Sequence, residues 1–354
     1  MSRFSKLLAV ALVALMCGFG SVAFADLKDS VYSSDWWKNN PWGKDDKAGS
    51  VNMVNPCLVM KAAKLIKTGR HATLGKLYMD DYIFFGPRFW KMTIPGTPTG
   101  GPFGNNNLVY HDEWVITQIG QVSTQFDGPG HIGVSTPKGD LFYNGRDREK
   151  SYERGAGGQV VGMGDAGVEH IAKIGFICRG VLLDGAGYKN MKTLPIPKSE
   201  SSPGVVTEDD VKGMIKKQGI APLGAGDCVF LYTGHGDLAL NDEWPTLSTE
   251  ERARRRAISV SGEPGYGHSA CSYFGKVPVM LTGGDTSAND AQPSDHGYAV
   301  PCHTMLQTRL GIWNIENLEF TQLLKDKAYE FMFVWAPLKV VGGTGSPGNP
   351  IALY

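Results

Sequence analysis

Gln121-Val122-Ser123-Thr124-Gln125-Phe126-Asp127-Gly128-Pro129-Gly130-His131 is the stretch on which the reading of this chain turns. Polar side chains recur there at every second residue, so an extended backbone presents Gln121, Ser123, Gln125 and Asp127 on one face. Six extended residues cover roughly 20 Å, too far for all four donors to meet one ion. The run therefore has to bend. Gly128-Pro129-Gly130 permits a sharp turn that carries His131 back beside the carboxylate of Asp127. Taken singly, these residues have ordinary roles: a turn aspartate, polar residues of an edge strand, a hydrogen-bonded loop histidine. Their joint order is what points to chemistry.

Outward from this stretch, the N-terminus reads as a processing segment. Arg3 and Lys6 precede an apolar run from Leu7 to Met16, and Ala23-Phe24-Ala25 precedes Asp26. This is the pattern of a secretory signal peptide over residues 1–25. It predicts that residues 26–354 form one domain exported to a periplasm or to the outside. An uncleaved anchor is the alternative, because Leu7 to Ala25 is almost long enough to span a bilayer, but Gly18, Gly20 and the small-residue end favour cleavage. No later segment is apolar for long enough to cross, so no membrane contact is expected after cleavage.

Composition is that of a folded globular chain, with 42% hydrophobic and 20% charged residues. Lys plus Arg and Asp plus Glu both number 35, which leaves no basic footprint for nucleic acid and directs attention to a small-molecule substrate. Cys57, Cys178, Cys228, Cys271 and Cys302 follow the leader without zinc-knuckle or redox spacing. The apolar runs around Cys178 and Cys228 predict buried thiols, and no bridge is assigned.

Asn55-Pro56 opens a helical pattern that runs to Lys67 before Gly69. A strand is expected over 71–79, then an aromatic stretch with Tyr78, Tyr82, Phe84, Phe85, Phe89 and Trp90, and a Gly/Pro-rich loop from Pro95 to Asn107. Those aromatics suit a pocket wall, and equally the core or an oligomer contact. Further strands are read over 180–184, 228–232, 277–281 and 329–335. Helices are read from the capping box at Thr207, from Ser248 to Arg256, and by spacing over 301–310 and 315–325, the last placing Glu316 at a helix start. The three arginines Arg254-Arg255-Arg256 read as a solvated face. Interleaved strands and helices make the class α/β. No Gly-x-Ser-x-Gly elbow is present, which argues against a serine hydrolase.

The opening stretch resembles the cyclase family, which includes bacterial kynurenine formamidases, isatin hydrolase and related metal-dependent hydrolases. Its signature is His-x-Gly-Thr-His-x-Asp-x-Pro-x-His, and Thr124, Asp127, Pro129 and His131 stand on the matching positions. Gln121 and Gln125 replace the two early histidines and Ser123 the glycine, as in a larger-chain branch that carries Thr-Gln-x-Asp-Gly. Pro301-Cys302-His303, followed by Glu316-Asn317-Leu318, resembles a second family segment. Gly283-Gly284-Asp285-Thr286 and the tail from Trp335 to Ile351 resemble two more.

The resemblance implies the swivelling β/β/α fold, a mixed sheet with helices packed outside in a single domain, assembled as a homodimer or homotetramer. It implies a metal site of Asp127, His303 and Glu316, completed by Gln121, Gln125 or water, with His131 as the proton-transfer group. Thr124 could orient the loop or donate to an oxyanion, though a turn-stabilising role is commoner for such a threonine. Zinc or manganese is the expected divalent ion, and the amide oxygens extend the range to magnesium or calcium. The implied reaction is hydrolysis of a C–N or C–O bond in a small cyclic or acylated amide or a lactone, arylformamidase-like, by metal-activated water. A lyase or cyclase reaction on a carbonyl and a non-catalytic periplasmic binding protein are the alternatives. His235, His268 and His296 carry no assignment.

Overall fold

Phe176–Asp184 and Cys228–Tyr232 are buried on both faces, as adjacent parallel strands covered on two sides must be. Around them the computed structural model, which describes residues 36–354, builds one nine-stranded mixed sheet. Across it the strands run His71–Thr73, Ile351–Leu353, Glu330–Trp335, Phe176–Asp184, Cys228–Tyr232, Leu281–Gly284, Trp313–Glu316, Gln125–Asp127 and Gly345–Pro347. The pairings among 176–184, 228–232, 281–284 and 313–316 are parallel. Glu330–Trp335 and Gln125–Asp127 join the sheet antiparallel. The protein is thus a single mixed α/β domain. The leader expected over residues 1–25 lies outside the described residues, among which no helix is long and apolar enough to cross a membrane.

One face of the sheet packs on the helices Glu208–Gln218 and His268–Lys276 and on the π-helix His303–Leu310, through Val211, Met214, Phe274 and Leu306. The other buries Phe126, Phe176, Trp313, Phe331, Phe333 and Trp335. The capping box at Thr207 forms as its sequence requires: the Asp210 N–H donates to the Thr207 hydroxyl oxygen at 3.2 Å, and the Thr207 N–H donates to the Asp210 carboxylate at 3.0 Å. Gly219 closes that helix in the left-handed conformation at φ 66°.

Several elements differ from expectation. The helix expected to reach Lys67 ends at Ala63, because the N–H groups of Thr68 and Arg70 are drawn to the Tyr354 carbonyl. The strand expected over 71–79 spans only His71–Thr73. The strand placed at 277–281 is Leu281–Gly284, since Val277–Met280 is the descent from an unanticipated helix, His268–Lys276. The segment read as helical from 315 starts as the buried strand Trp313–Glu316 and coils only over Thr321–Asp326, so Glu316 is a strand residue. Arg254 fits a solvated face, but Arg255 pairs with Glu243 at 2.7 Å and Arg256 with Asp81 at 2.5 Å, tying their helix to neighbouring loops.

Cys178 and Cys228, expected as buried thiols, are bridged to each other, and Cys271 is bridged to Cys302. Register explains the first: Gly180 pairs with Cys228 on the adjacent strand, which brings the Cα of Cys178 to 6.2 Å from that of Cys228. The bridge closes a loop of 50 residues. Replacing both cysteines with alanine should therefore lower unfolding stability by about 2–5 kcal/mol. Denaturant unfolding measures this, and an unchanged midpoint would show that packing alone holds these strands.

Residues 90–117 form an arm away from the sheet. Trp90–Thr93 pairs with Trp114–Thr117, and Gly100–Phe103 with Leu108–Tyr110. Met92, Ile94, Phe103, Trp114 and Ile116 on it are exposed. At its base Tyr82 is buried edge-on against Trp244.

Candidate metal centre

The strand Gln125–Asp127 lies between Trp313–Glu316 and Gly345–Pro347, antiparallel to both. Asp127 pairs with Asn314, Phe126 with Ile315 and Gln125 with Glu316. Strand alternation then puts Gln125, Asp127, Asn314 and Glu316 on one face and sends Phe126 and Ile315 into the core on the other. Phe126 packs at 4.9 Å on Trp335 and 5.5 Å on Phe176, fixing the strand that carries the aspartate.

His303 opens the π-helix that returns to this edge of the sheet. Such turns are rare and concentrate at functional sites. Its Nε2 lies 3.2 Å from Asp127 Oδ2 and 3.0 Å from Glu316 Oε1. One donor atom each from Asp127, His303 and Glu316 falls within 4.8 Å of the other two, all buried. Two carboxylates and an imidazole facing one another in a dry pocket are the hard-to-borderline donor set of a divalent cation. The same spacing among Cys271, Asp290 and Cys302 has another meaning, because its two sulfurs are already bonded to each other.

Without a cation the centre retains protons. Burial and the charge of Asp127 push Glu316 up to about 8. Burial alone would lower His303, but its hydrogen bonds to Asp127, Asp290 and Glu316 outweigh it and hold the imidazole well above its ordinary value. Burial would likewise raise Asp127, yet the neighbouring His131 and His303 and the hydrogen bonds with His303 and Gln121 carry it below the usual carboxylate range. Ligands must be unprotonated, so an ion entering here displaces protons and substitutes its own charge for theirs.

The other sequence-predicted residues surround this core in different roles. His131 turns back as expected: its N–H donates to the Gly128 carbonyl at 3.1 Å and its Nε2 stands 3.6 Å from Asp127 Oδ1. Burial lowers its pKa, with His303 and Arg88 adding to the effect against the pull of Asp127, so the ring is neutral near pH 7. Gln121 and Gln125 are buried, not exposed on an edge. Their amide NH2 groups face the carboxylates: Gln121 Nε2 donates to Asp127 at 3.3 Å, and Gln125 Nε2 to Glu316 at 2.7 Å. A carboxylate facing an amide favours that orientation, because its lone pairs repel the amide oxygen. Thr124, a candidate catalytic group, accepts from the Lys76 N–H at 2.8 Å and donates to the Asn317 carbonyl at 2.7 Å. Its hydroxyl braces two loops.

Sequence reading missed Asp290 and Asn314. Asp290 Oδ2 lies 2.6 Å from His303 Nδ1 and its other oxygen accepts the Cys302 N–H at 2.7 Å, which leaves Nε2 aimed at the centre. Asn314 donates to Glu316 Oε1 at 2.7 Å. The need of a ligating histidine for an acceptor on its second nitrogen was the available signal for an aspartate, though nothing in the sequence told which one.

Residues 88–291 match the family described as "Putative cyclase". A crystal structure described as a novel cyclase is 28% identical, with a TM-score of 0.71 over 88% of this chain and 96% of that one. Isatin hydrolase A from Ralstonia solanacearum shares the fold at 19% identity and a TM-score of 0.52, over 85% of this chain and 98% of the other. For isatin hydrolase A from Labrenzia aggregata, in a structure with benzyl benzoate, the values are 16% and 0.50, over 82% and 94%. No protein with a curated description matches the chain. With more than half of its residues matched and the sheet and helices of a solved cyclase reproduced over most of both chains, this protein belongs to the cyclase family.

Proposed function

We propose that this protein is an exported metal-dependent hydrolase that opens a C–N or C–O bond of a small cyclic or acylated amide or a lactone. One observation carries the reading: Asp127, His303 and Glu316 converge in a buried pocket with the neutral imidazole of His131 at their edge. Asp127, His303 and Glu316 would hold a divalent ion, zinc or manganese first, with Asp290 fixing the tautomer of His303. Such an ion supplies Lewis acidity, polarising a carbonyl and making water more acidic. His131 Nε2 takes the proton that water loses on attack and returns it to the departing nitrogen or oxygen. Gln121 and Gln125 steady the carboxylates through their amide hydrogens.

The isatin hydrolases of the same fold support a cyclic amide as substrate. Export is supported by the leader pattern and by two bridges of a kind that persists in oxidising compartments. A homodimer or homotetramer is supported by the arm at 90–117, because a two-stranded ribbon with apolar residues in water is marginal alone.

The test is elemental analysis of the purified protein together with turnover of formamides, cyclic imides and lactones, and its mass in solution by light scattering. About one divalent ion per chain, hydrolysis that stops on chelation, and a mass above one chain are expected. A metal-free protein that binds ligand without turnover would instead establish the binding-protein alternative, which the amide-braced carboxylates favour.

A further inference from the structure

Two clefts meet beside the metal centre. One has Gln121 and Gln125 in its wall. The other is lined by Lys76 and His235, and the two share Ile83, Ser259, Ser287 and Asn317. The second cleft contains two polar groups that the hydrolytic centre does not use.

Lys76 is only 6% exposed. Its Nζ donates to the Gly236 carbonyl at 2.6 Å, and among the described residues no carboxylate lies within ion-pair distance of it. Gly236 permits this approach, since a Cβ there would stand 3.0 Å from Nζ. A buried ammonium with hydrogens to spare and no adjacent counter-ion is costly unless something supplies an acceptor. His235 is 5% exposed, and its Nε2 has no hydrogen-bond partner.

The carboxylates around Lys76 are directed elsewhere. Asp285 accepts the N–H groups of Thr233, Gly234 and Gly236 and the Thr233 hydroxyl, at 2.9–3.1 Å. Glu263 accepts from Ser287, Ala288 and Gln292. Asp237 accepts the Tyr232 hydroxyl, and Glu319 the Asn241 N–H. These charges lessen the cost of the lysine at a distance and leave its free hydrogens unmatched.

We propose that this second cleft is a carboxylate-binding subsite, in which Lys76 Nζ holds an acid group of the substrate away from the bond that breaks. The amide or lactone hydrolysed would then carry a carboxylate. That extension to substrate rests on the hydrolase reading above, whereas the subsite itself does not.

Benzoate and benzamide have nearly the same shape and differ in charge, and Tyr82, Phe84 and Phe85 beside the clefts suit their ring. Calorimetric titration of the full-length protein as isolated should give benzoate at least a tenfold tighter binding than benzamide, the scale of one charge-assisted hydrogen bond. The preference should vanish in Lys76→Gln and survive in Asp127→Asn. Equal binding of the two probes, or a preference that survives Lys76→Gln, overturns the subsite. A preference lost in Asp127→Asn overturns it too, by locating the carboxylate at the metal centre. If Lys76→Gln fails to fold, Lys76→Met and the wild-type ratio decide. No turnover is read, so a protein without hydrolase activity can still show the subsite, and an active hydrolase can still lack it.

Discussion

Asp127→Asn should weaken divalent-ion binding by roughly 10²- to 10³-fold, the equivalent of the 3–5 kcal/mol typical of breaking a buried charge pair. The aspartate has no substitute. It is fully buried on the strand between two others, it faces His303 at 3.2 Å, and the Gln121 amide beside it presents hydrogens, not an oxygen. Stability separates this effect from misfolding. Without an ion Glu316 keeps its proton and the Asp127 carboxylate faces His303, so the ion-free variant should be less stable than the ion-free parent, and the metal-induced shift is read against each protein's own ion-free baseline. Adding zinc or manganese at 100 times the parent's dissociation constant should stabilise the parent by about 2.7 kcal/mol and the variant by almost nothing. Equal thermal shifts in the two proteins would remove Asp127 from the ligand set.

His131→Ala should lower kcat by roughly 10²- to 10⁴-fold while leaving the bound metal unchanged. The imidazole stands 3.6 Å from Asp127, outside the three-donor cluster, with a side chain 19% exposed, at the rim where water and substrate can reach it. Burial keeps it in the neutral form that accepts a proton. Metal content and turnover are the paired measurement. A variant that loses both would make His131 a ligand, and one that loses neither would leave the proton transfer to another group.

Local chemistry was legible wherever it acts over a few residues. The Gly128-Pro129-Gly130 turn returned His131 to Asp127 because glycine and proline set backbone angles whatever surrounds them. The Thr207 cap, the strand at 228–232, the 180–184 end of the strand Phe176–Asp184 and the α/β class followed from patterns of the same range. The ordered motifs at 121–131 and 301–318 brought Asp127, His303 and Glu316 onto one short list.

What the sequence alone determined, then, was which turn would fold His131 back, since that depends on short-range backbone preference, while the resemblance to a family supplied Asp127, His303 and Glu316 as a set. Tertiary structure alone decided how they meet. Register between strands put Glu316 opposite Gln125, 191 residues away, and placed Cys178 against Cys228, 50 residues away. It also turned the two glutamines into donors, made Thr124 a brace, brought Asp290 to His303 and enclosed Lys76 without a counter-ion. Each of these depends on partners distant in the chain, and the energy of a buried charge or hydrogen bond is fixed by its partner and its distance from water, neither of which is written in the spacing of residues.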